Sequence, residues 1–135
     1  MKNLGIIIAR KNSKRLKNKN ILKISKKKLI EFTILAAIKS KKFQQIVVSS
    51  DDKRILNLKK KYKSIIFLNR PKSLAGDKVK AIEVVQDIIK SKIYDNFEKV
   101  ALMLPSCPFR NFKDVQNAFN MFKKTDTVIS VCEYN

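Results

Sequence analysis

The residues best suited to chemistry follow directly after the first apolar run of the chain. Residues 4–9 are apolar enough to form a buried strand, and residues 10–28 carry ten Lys or Arg and no acid. Guanidinium and ammonium groups at a strand end could bind a phosphate or a carboxylate. The alternative is that this basic loop is a solvated surface of a lysine-rich protein.

Three later loops also place polar side chains after a predicted strand. They read "SSDD" at 49–52, "NRPKSLAGD" at 69–77 and "LPSCPFR" at 104–110. In open α/β sheets, ligands bind beyond the carboxyl ends of the strands. If these loops meet there, they form a cationic pocket with one or two acids, which suits a polyphosphate and a divalent cation.

Each of these loops also has a purely structural interpretation. Asp51 or Asp52 could cap a helix that begins near residue 53, and the prolines of 105–110 could be turn residues. The chain has neither a GxxxxGK[ST] nor a GxGxxG motif, and it contains two glycines. A phosphate site here would therefore depend on side-chain cations rather than on a glycine-rich loop.

The elements that must position these loops alternate along the chain. Continuous apolar runs predict strands over 4–9, 46–49, 65–68, 100–104 and 127–131. Helical spacing of apolar residues predicts helices over 29–39, 53–61, 79–91 and 112–123. Asp77 is a candidate N-cap of the third helix, and Asn111 with Asp114 caps the fourth. The pattern predicts one domain over 1–135, with a three-layer α/β/α architecture and a mostly parallel sheet.

Composition narrows the function classes. The formal charge of +20 fits a small basic nucleic-acid-binding module, but Lys, Ile and Asn together supply 54 of 135 residues, and this bias weakens that interpretation. No apolar run reaches the ~20 residues of a membrane span, and no signal peptide is evident, so we expect a cytoplasmic protein. Cys107 and Cys132 lack metal-ligand spacing, and there is no histidine; we expect two free thiols in or near the core.

The order of the motifs resembles that of the acylneuraminate cytidylyltransferases, the CMP-sialic acid synthetases. "IIIARKNSKRLKNKNI" is similar to the opening of that family, and "VVSSDD", "RPKSLAGD", "LMLPSCPFR" and "DTVISV" are similar to its later motifs. The residues that match in the first motif are Ala9, Arg10, Ser13, Lys14, Arg15, Lys19 and Asn20.

The resemblance implies a Rossmann-like fold of the nucleotide-diphospho-sugar transferase type. It implies attack by a sugar acid on the α-phosphate of CTP, with Mg²⁺ assisting. Arg10 and Lys19 would be the catalytic cations that hold the triphosphate, helped by Lys14 and Ser13. Asn20 and Arg70 would face the nucleoside, and the pocket would be shaped by Asp77, Ser106 and Arg110.

The chain also departs from the family pattern. Leu104 stands where the family usually has Gln, and Lys17 and Asn18 replace a common Pro and Gly. The family continues beyond the last match, with its metal-binding acids, most of the sugar site and its homodimerisation element. We therefore expect the nucleotide-binding portion of such an enzyme. A non-catalytic partner subunit and a nucleic-acid-binding module remain alternatives, and the sugar acid stays open.

Overall fold

A computed structural model describes residues 2–91 and 96–131. Its main sheet has four parallel strands in the order β5-β4-β1-β6. These strands are β1 (Asn3–Ala9), β4 (Gln45–Ser50), β5 (Ile66–Asn69) and β6 (Lys99–Met103). Two short strands, β2 (Lys23–Ile24) and β3 (Lys27–Lys28), form a separate antiparallel hairpin within the basic loop.

In the described part of the chain, four α-helices accompany the sheet. They are α1 (Leu29–Ser40), α2 (Lys53–Leu56), α3 (Ala81–Lys90) and α4 (Phe112–Phe122). Short 3₁₀ segments cover Lys19–Ile21, Asn57–Lys60 and Lys72–Leu74. Among the described residues, no helix has the length and apolar character that crossing a membrane requires.

Helices cover both faces of the sheet, which confirms the predicted α/β/α class. On one face, Ile7, Val48 and Met103 pack with side chains of α1, α2 and α4. On the other face, Leu4, Ile6, Ile8 and Val47 pack against Val84, Val85 and Ile88 of α3. Every residue of β1 is buried, as expected for the continuous apolar run of a strand covered on both sides.

Strand register brings the ligand-side loops together. Ala9 of β1 is paired with Ser50 of β4, and Ser50 is paired with Asn69 of β5. Arg10, Asp51 and Arg70 are each the next residue along the chain, so they follow three adjacent strands at one sheet edge. This confirms that the basic loop, the "SSDD" loop and the "NRPKSLAGD" loop begin side by side.

Two of the predicted helix caps are present. Asp52 accepts a hydrogen bond from the backbone N–H of Arg54 at 2.9 Å and caps α2. Asn111 accepts hydrogen bonds from the backbone N–H groups of Lys113 and Asp114, and Asp114 accepts one from the Asn111 N–H. Asp77 is not a cap, because α3 begins at Ala81 with Lys80 as its N-cap.

Two other predictions are wrong. Residues 127–131 are described but form no strand, and Ile129 and Val131 are exposed. A strand needs a neighbour that shares its backbone hydrogen bonds, and β-branched composition alone does not provide one. Cys107 is exposed in the loop after β6 rather than in the core, and Cys132 lies outside the described residues.

Candidate functional site

An open cleft of about 280 Å³ lies beyond the carboxyl ends of the sheet strands. Its walls come from the end of β1, the basic loop, the loop that follows β5, the start of α3 and the loop that follows β6. The lining residues are Ile8, Ala9, Arg10, Ser13, Lys19, Asn20, Arg70, Asp77, Val79, Ala81, Val84, Leu104, Pro105 and Ser106.

The cleft unites most of the residues singled out from the sequence. Of the nine predicted site residues, seven line it: Arg10, Ser13, Lys19, Asn20, Arg70, Asp77 and Ser106. Lys14 and Arg110 do not line it. The predicted chemical roles of these residues stay predictions, but their convergence on one cleft is a finding of the structure.

Asp77 is held by two cations of the basic loop. Its Oδ1 accepts a hydrogen bond from Arg10 Nη1 at 2.6 Å, and its Oδ2 lies 3.4 Å from Lys14 Nζ. All three side chains are partly exposed, so the pairs contribute little to stability. Lys14 therefore lies at the rim of the cleft through its contact with Asp77.

Arg70 is a buried cation in the cleft wall. It is 7% exposed, and its Nε has no hydrogen-bond partner among the described residues. Burial lowers the pKa of its guanidinium; Asp51 opposes this shift, and Arg10 adds to it. Arginine nevertheless keeps its charge in proteins. A buried guanidinium with an unused donor is well suited to an anion or a carbonyl oxygen supplied by a ligand.

The basic loop is held in place by its neighbours. The backbone N–H of Lys11 donates to Asp51 Oδ1 at 2.7 Å, and Asn20 Nδ2 donates to the carbonyl oxygen of Arg10 at 3.2 Å. Asn20 is buried, so its hydrogen bond ties the 3₁₀ segment back to the end of β1. Asp51 thus serves the site as a backbone anchor rather than by lining the cleft.

Arg110 supports the loop after β6. Its Nη2 donates to the carbonyl oxygen of Leu104, which is itself a lining residue. Arg110 Nε is buried and has no hydrogen-bond partner within the described part of the chain. Arg110 therefore does not line the cleft itself but hydrogen-bonds the backbone of Leu104, which does.

Sequence reasoning missed the apolar lining residues and the role of Arg54. Val79, Ala81 and Val84 line the cleft from the start of α3, but their spacing indicates only a buried helix face. Arg54 Nη2 donates to Asn18 Oδ1 at 3.0 Å, which ties α2 to the basic loop. No local pattern signals this contact between residues 36 positions apart.

The described residues do not form a magnesium site by themselves. No group of three or more His, Cys, Asp or Glu residues lies together in the part of the chain that the structure covers. Within residues 2–91 and 96–131, Asp77 is the one carboxylate that lines the cleft, and it is already paired with Arg10 and Lys14. Mg²⁺ at a nucleotide site takes one or two carboxylates together with phosphate oxygens. Both oxygens of Asp77 already contact cations, so the described donors do not fit the ion.

Comparison with known proteins identifies relatives over nearly the whole chain. The family described as Cytidylyltransferase matches residues 4–132. The chain is 34% identical over 135 residues to the N-acylneuraminate cytidylyltransferase of Escherichia coli O18:K1:H7, covering 98% of this chain and 32% of that protein. It is 37% identical over 134 residues to the CMP-N,N'-diacetyllegionaminic acid synthase of Legionella pneumophila, covering 97% of this chain and 58% of that protein.

Solved structures share the fold. A CMP:2-keto-3-deoxy-manno-octonic acid synthetase complexed with CTP superposes with a TM-score of 0.73 at 18% identity, covering 95% of this chain and 50% of that one. A cytidylyltransferase from Leptospira borgpetersenii serovar Hardjo-bovis gives a TM-score of 0.68 at 24% identity, covering 92% of this chain and 50% of that one. The chain thus spans between about a third and somewhat over half of these relatives.

Proposed function

The chain belongs to the cytidylyltransferase family, and on that premise we propose that its cleft binds CTP. The triphosphate lies against Arg10 and Lys19, with Lys14 at the rim and the Ser13 hydroxyl as an additional donor. The nucleoside lies towards Asn20 and Arg70. Asp77 and Ser106 shape the cleft, and Arg110 supports it through the backbone of Leu104.

The observation that carries this proposal is the shared cleft of Arg10, Lys19 and Arg70. Of the residues that the structure describes, three cations and one carboxylate line the cleft, so its charge favours a polyanion. Arg70 adds a buried cation to the cleft wall, and a buried guanidinium favours a ligand with oxygen acceptors. A solvated basic surface would not direct three cations into one concavity.

The proposed reaction is transfer of CMP to an acidic sugar. The sugar hydroxyl oxygen bonds to the α-phosphorus, the bond from that phosphorus to the bridging oxygen breaks, and pyrophosphate leaves with the electron pair. Catalysis of such a step consists mainly of positioning and charge stabilisation. Arg10 and Lys19 would neutralise the phosphate oxygens, while the hydroxyl proton passes to solvent or to a base elsewhere in the enzyme.

The finer parts of the proposal remain predictions of the sequence. They include the nine-carbon sugar acid, Mg²⁺ and the cytoplasmic location. Since the described residues do not form a magnesium site, the role proposed for this cleft is to bind the nucleotide and neutralise its charge. CMP transfer is proposed for the whole enzyme, because the chain spans only part of its relatives.

Thermal unfolding with nucleotides tests the proposal. CTP with Mg²⁺ should raise the midpoint more than ATP or GTP does, and Arg10→Ala should remove most of that rise. Arg15→Ala is the matched control, because Arg15 is an exposed arginine of the same loop that does not line the cleft. Equal shifts with all three nucleotides would contradict base recognition.

Salt-sensitive oligonucleotide binding that CTP does not compete with would favour the nucleic-acid alternative.

A further inference from the structure

Asn18, the residue before the cleft-lining Lys19, has an unusual backbone conformation. Its φ and ψ of 56° and 26° lie in the left-handed region. Residues other than Gly seldom adopt this conformation, and Asn is among those that tolerate it best. It immediately precedes the 3₁₀ segment Lys19–Ile21, whose first two residues line the cleft. The position of Lys19 and Asn20 therefore depends on the conformation of Asn18.

We propose that Arg54, which does not line the cleft, is a positioning residue that holds Asn18 and so places Lys19 and Asn20 for the nucleotide. This inference rests on the proposed function for the identity of the ligand. The contact that carries it is the hydrogen bond from Arg54 Nη2 to Asn18 Oδ1, 3.0 Å long. We call Asn18, Arg54 and Asp52 the clasp.

The clasp is anchored to the rigid part of the fold. Arg54 Nε and Nη2 donate to the two carboxylate oxygens of Asp52 at 2.9 and 2.8 Å. Asp52 is 3% exposed and also caps α2, whose Ile55 is fully buried in the core. The hydrogen bonds from Arg54 lower the pKa of Asp52, so the carboxylate stays charged at neutral pH. A planar guanidinium held by two bonds is a well-oriented donor to a third group.

The clasp continues through the backbone of the loop. The carbonyl oxygen of Asn18 accepts a hydrogen bond from the N–H of Ile21 at 3.1 Å. The N–H of Lys19 donates to the carbonyl oxygen of Leu16 at 3.2 Å. Asn20 then bonds back to the carbonyl oxygen of Arg10. The segment that carries Lys19 is thus fixed at one end by α2 and at the other by the end of β1.

Two conservative variants separate this role from a general structural one. Arg54→Lys keeps a cation beside Asp52 but loses the planar fork, and Asn18→Gly keeps the left-handed backbone but loses the acceptor. Each should weaken CTP binding about fivefold, as expected for the loss of one exposed hydrogen bond of ordinary net strength. The double variant should bind no more weakly than either single variant, because both remove the same bond. Lys53→Ala, which removes a neighbouring exposed cation, should leave affinity unchanged.

Hydrogen exchange of the ligand-free protein gives a second measurement that needs no nucleotide. In Arg54→Lys, the amides of Lys19, Ile21 and Leu22 should exchange at least fivefold faster, while those of β1 and β4 keep their rates. The role of Arg54 would be overturned if the exchange rates in that segment did not change. It would also be overturned if the double variant lost CTP affinity by the product of the two single losses. A wild-type chain that does not bind CTP would contradict the proposed function. The exchange measurement would still show whether Arg54 holds the segment that carries Lys19.

Discussion

Arg10 and Asp77 form an ion pair of 2.6 Å that joins the basic loop to the loop before α3 across the cleft. Both side chains line the cleft, and Lys14 contacts the second oxygen of the same carboxylate. In the protein without ligand, Asp77 is therefore paired with Arg10 and Lys14, two of the cations that we assign to the triphosphate. A bound polyphosphate must share them or displace the carboxylate.

Asp77→Asn should strengthen binding of CTP measured without sugar. The substitution frees Arg10 and Lys14 and removes a negative charge from the cleft. Partly exposed ion pairs of this kind contribute about 0.5 kcal/mol, so we expect an affinity gain of about two- to threefold. Titration calorimetry at constant ionic strength measures it. Asp87→Asn removes a carboxylate of α3 that does not line the cleft and should have no such effect; a loss of affinity in Asp77→Asn would show that this carboxylate helps to bind the nucleotide.

Arg70→Met should stabilise the fold and at the same time weaken CTP binding. Replacing a buried cation that lacks a full set of partners by an apolar side chain removes its desolvation cost, so the free energy of unfolding should rise by about 1 kcal/mol. CTP affinity should fall at least tenfold, because a cation that lines the cleft is lost. Urea unfolding and calorimetry report the two effects. Unchanged CTP affinity would exclude Arg70 from the site.

Glu31 should make the stability depend on pH in the acid range. Its carboxylate is 3% exposed and accepts hydrogen bonds from Lys61 Nζ, Tyr62 Oη and the Lys28 N–H. Burial alone raises the pKa of Glu31, but these hydrogen bonds outweigh it and lower the pKa below 4.5. Burial is the main cause that raises the pKa of Tyr62 to about 12, and the hydrogen bond to Glu31 adds to it. The phenol therefore remains a donor at neutral pH.

Because the pKa of Glu31 is lower in the folded chain, its contribution is complete above about pH 4.5 and is lost as the pH falls through the folded value. Glu31→Gln should cost about 1–3 kcal/mol at pH 7 and much less at pH 3. Denaturant unfolding at both pH values measures the difference. Glu83→Gln is the matched control, since Glu83 caps α3 through the Lys80 N–H but is exposed, and it should cost about 0.5 kcal/mol. Equal costs for Glu31→Gln at the two pH values would contradict the assignment.

Leu104→Gln tests the departure from the family pattern at the end of β6. Leu104 lines the cleft and is 43% exposed, so an amide there would reach the ligand without being buried unpaired. We expect CTP affinity to rise about threefold, consistent with one added hydrogen bond of modest net strength. Leu102→Gln is the control, because Leu102 is similarly exposed on β6 but does not line the cleft. An equal gain in both variants would point to a general surface effect.

The strands of the sheet were predictable because each of them is a short run of apolar residues. β1 and β4 are buried on both faces, so burial alone explains their apolar runs. β5 and β6 are only partly buried and were recognised from their apolar residue types. The cleft residues could be found because they directly follow those strands and because their motifs resemble a known family. The cap at Asn111 was predictable for a similar reason, as its partner Asp114 lies three residues away.

Features set by tertiary contacts could not be predicted in this way. Asp77 has the residue type of an N-cap, but its pairing with Arg10 across 67 positions is not visible in local sequence. Residues 127–131 have strand composition without a described strand beside them. The β2–β3 hairpin was missed because its strands are two residues long and mostly lysine. Asn18 replaces a residue type that suits a left-handed backbone, and only the fold shows that Arg54 supports it.

A crystal structure of the chain with CTP would test the central claim most directly. We predict that phosphate oxygens lie within hydrogen-bond distance of Arg10 Nη1 and Lys19 Nζ, with the cytidine on the side of Asn20 and Arg70. Electron density for CTP outside the cleft, or a nucleotide in the cleft whose phosphates contact neither Arg10 nor Lys19, would contradict the account.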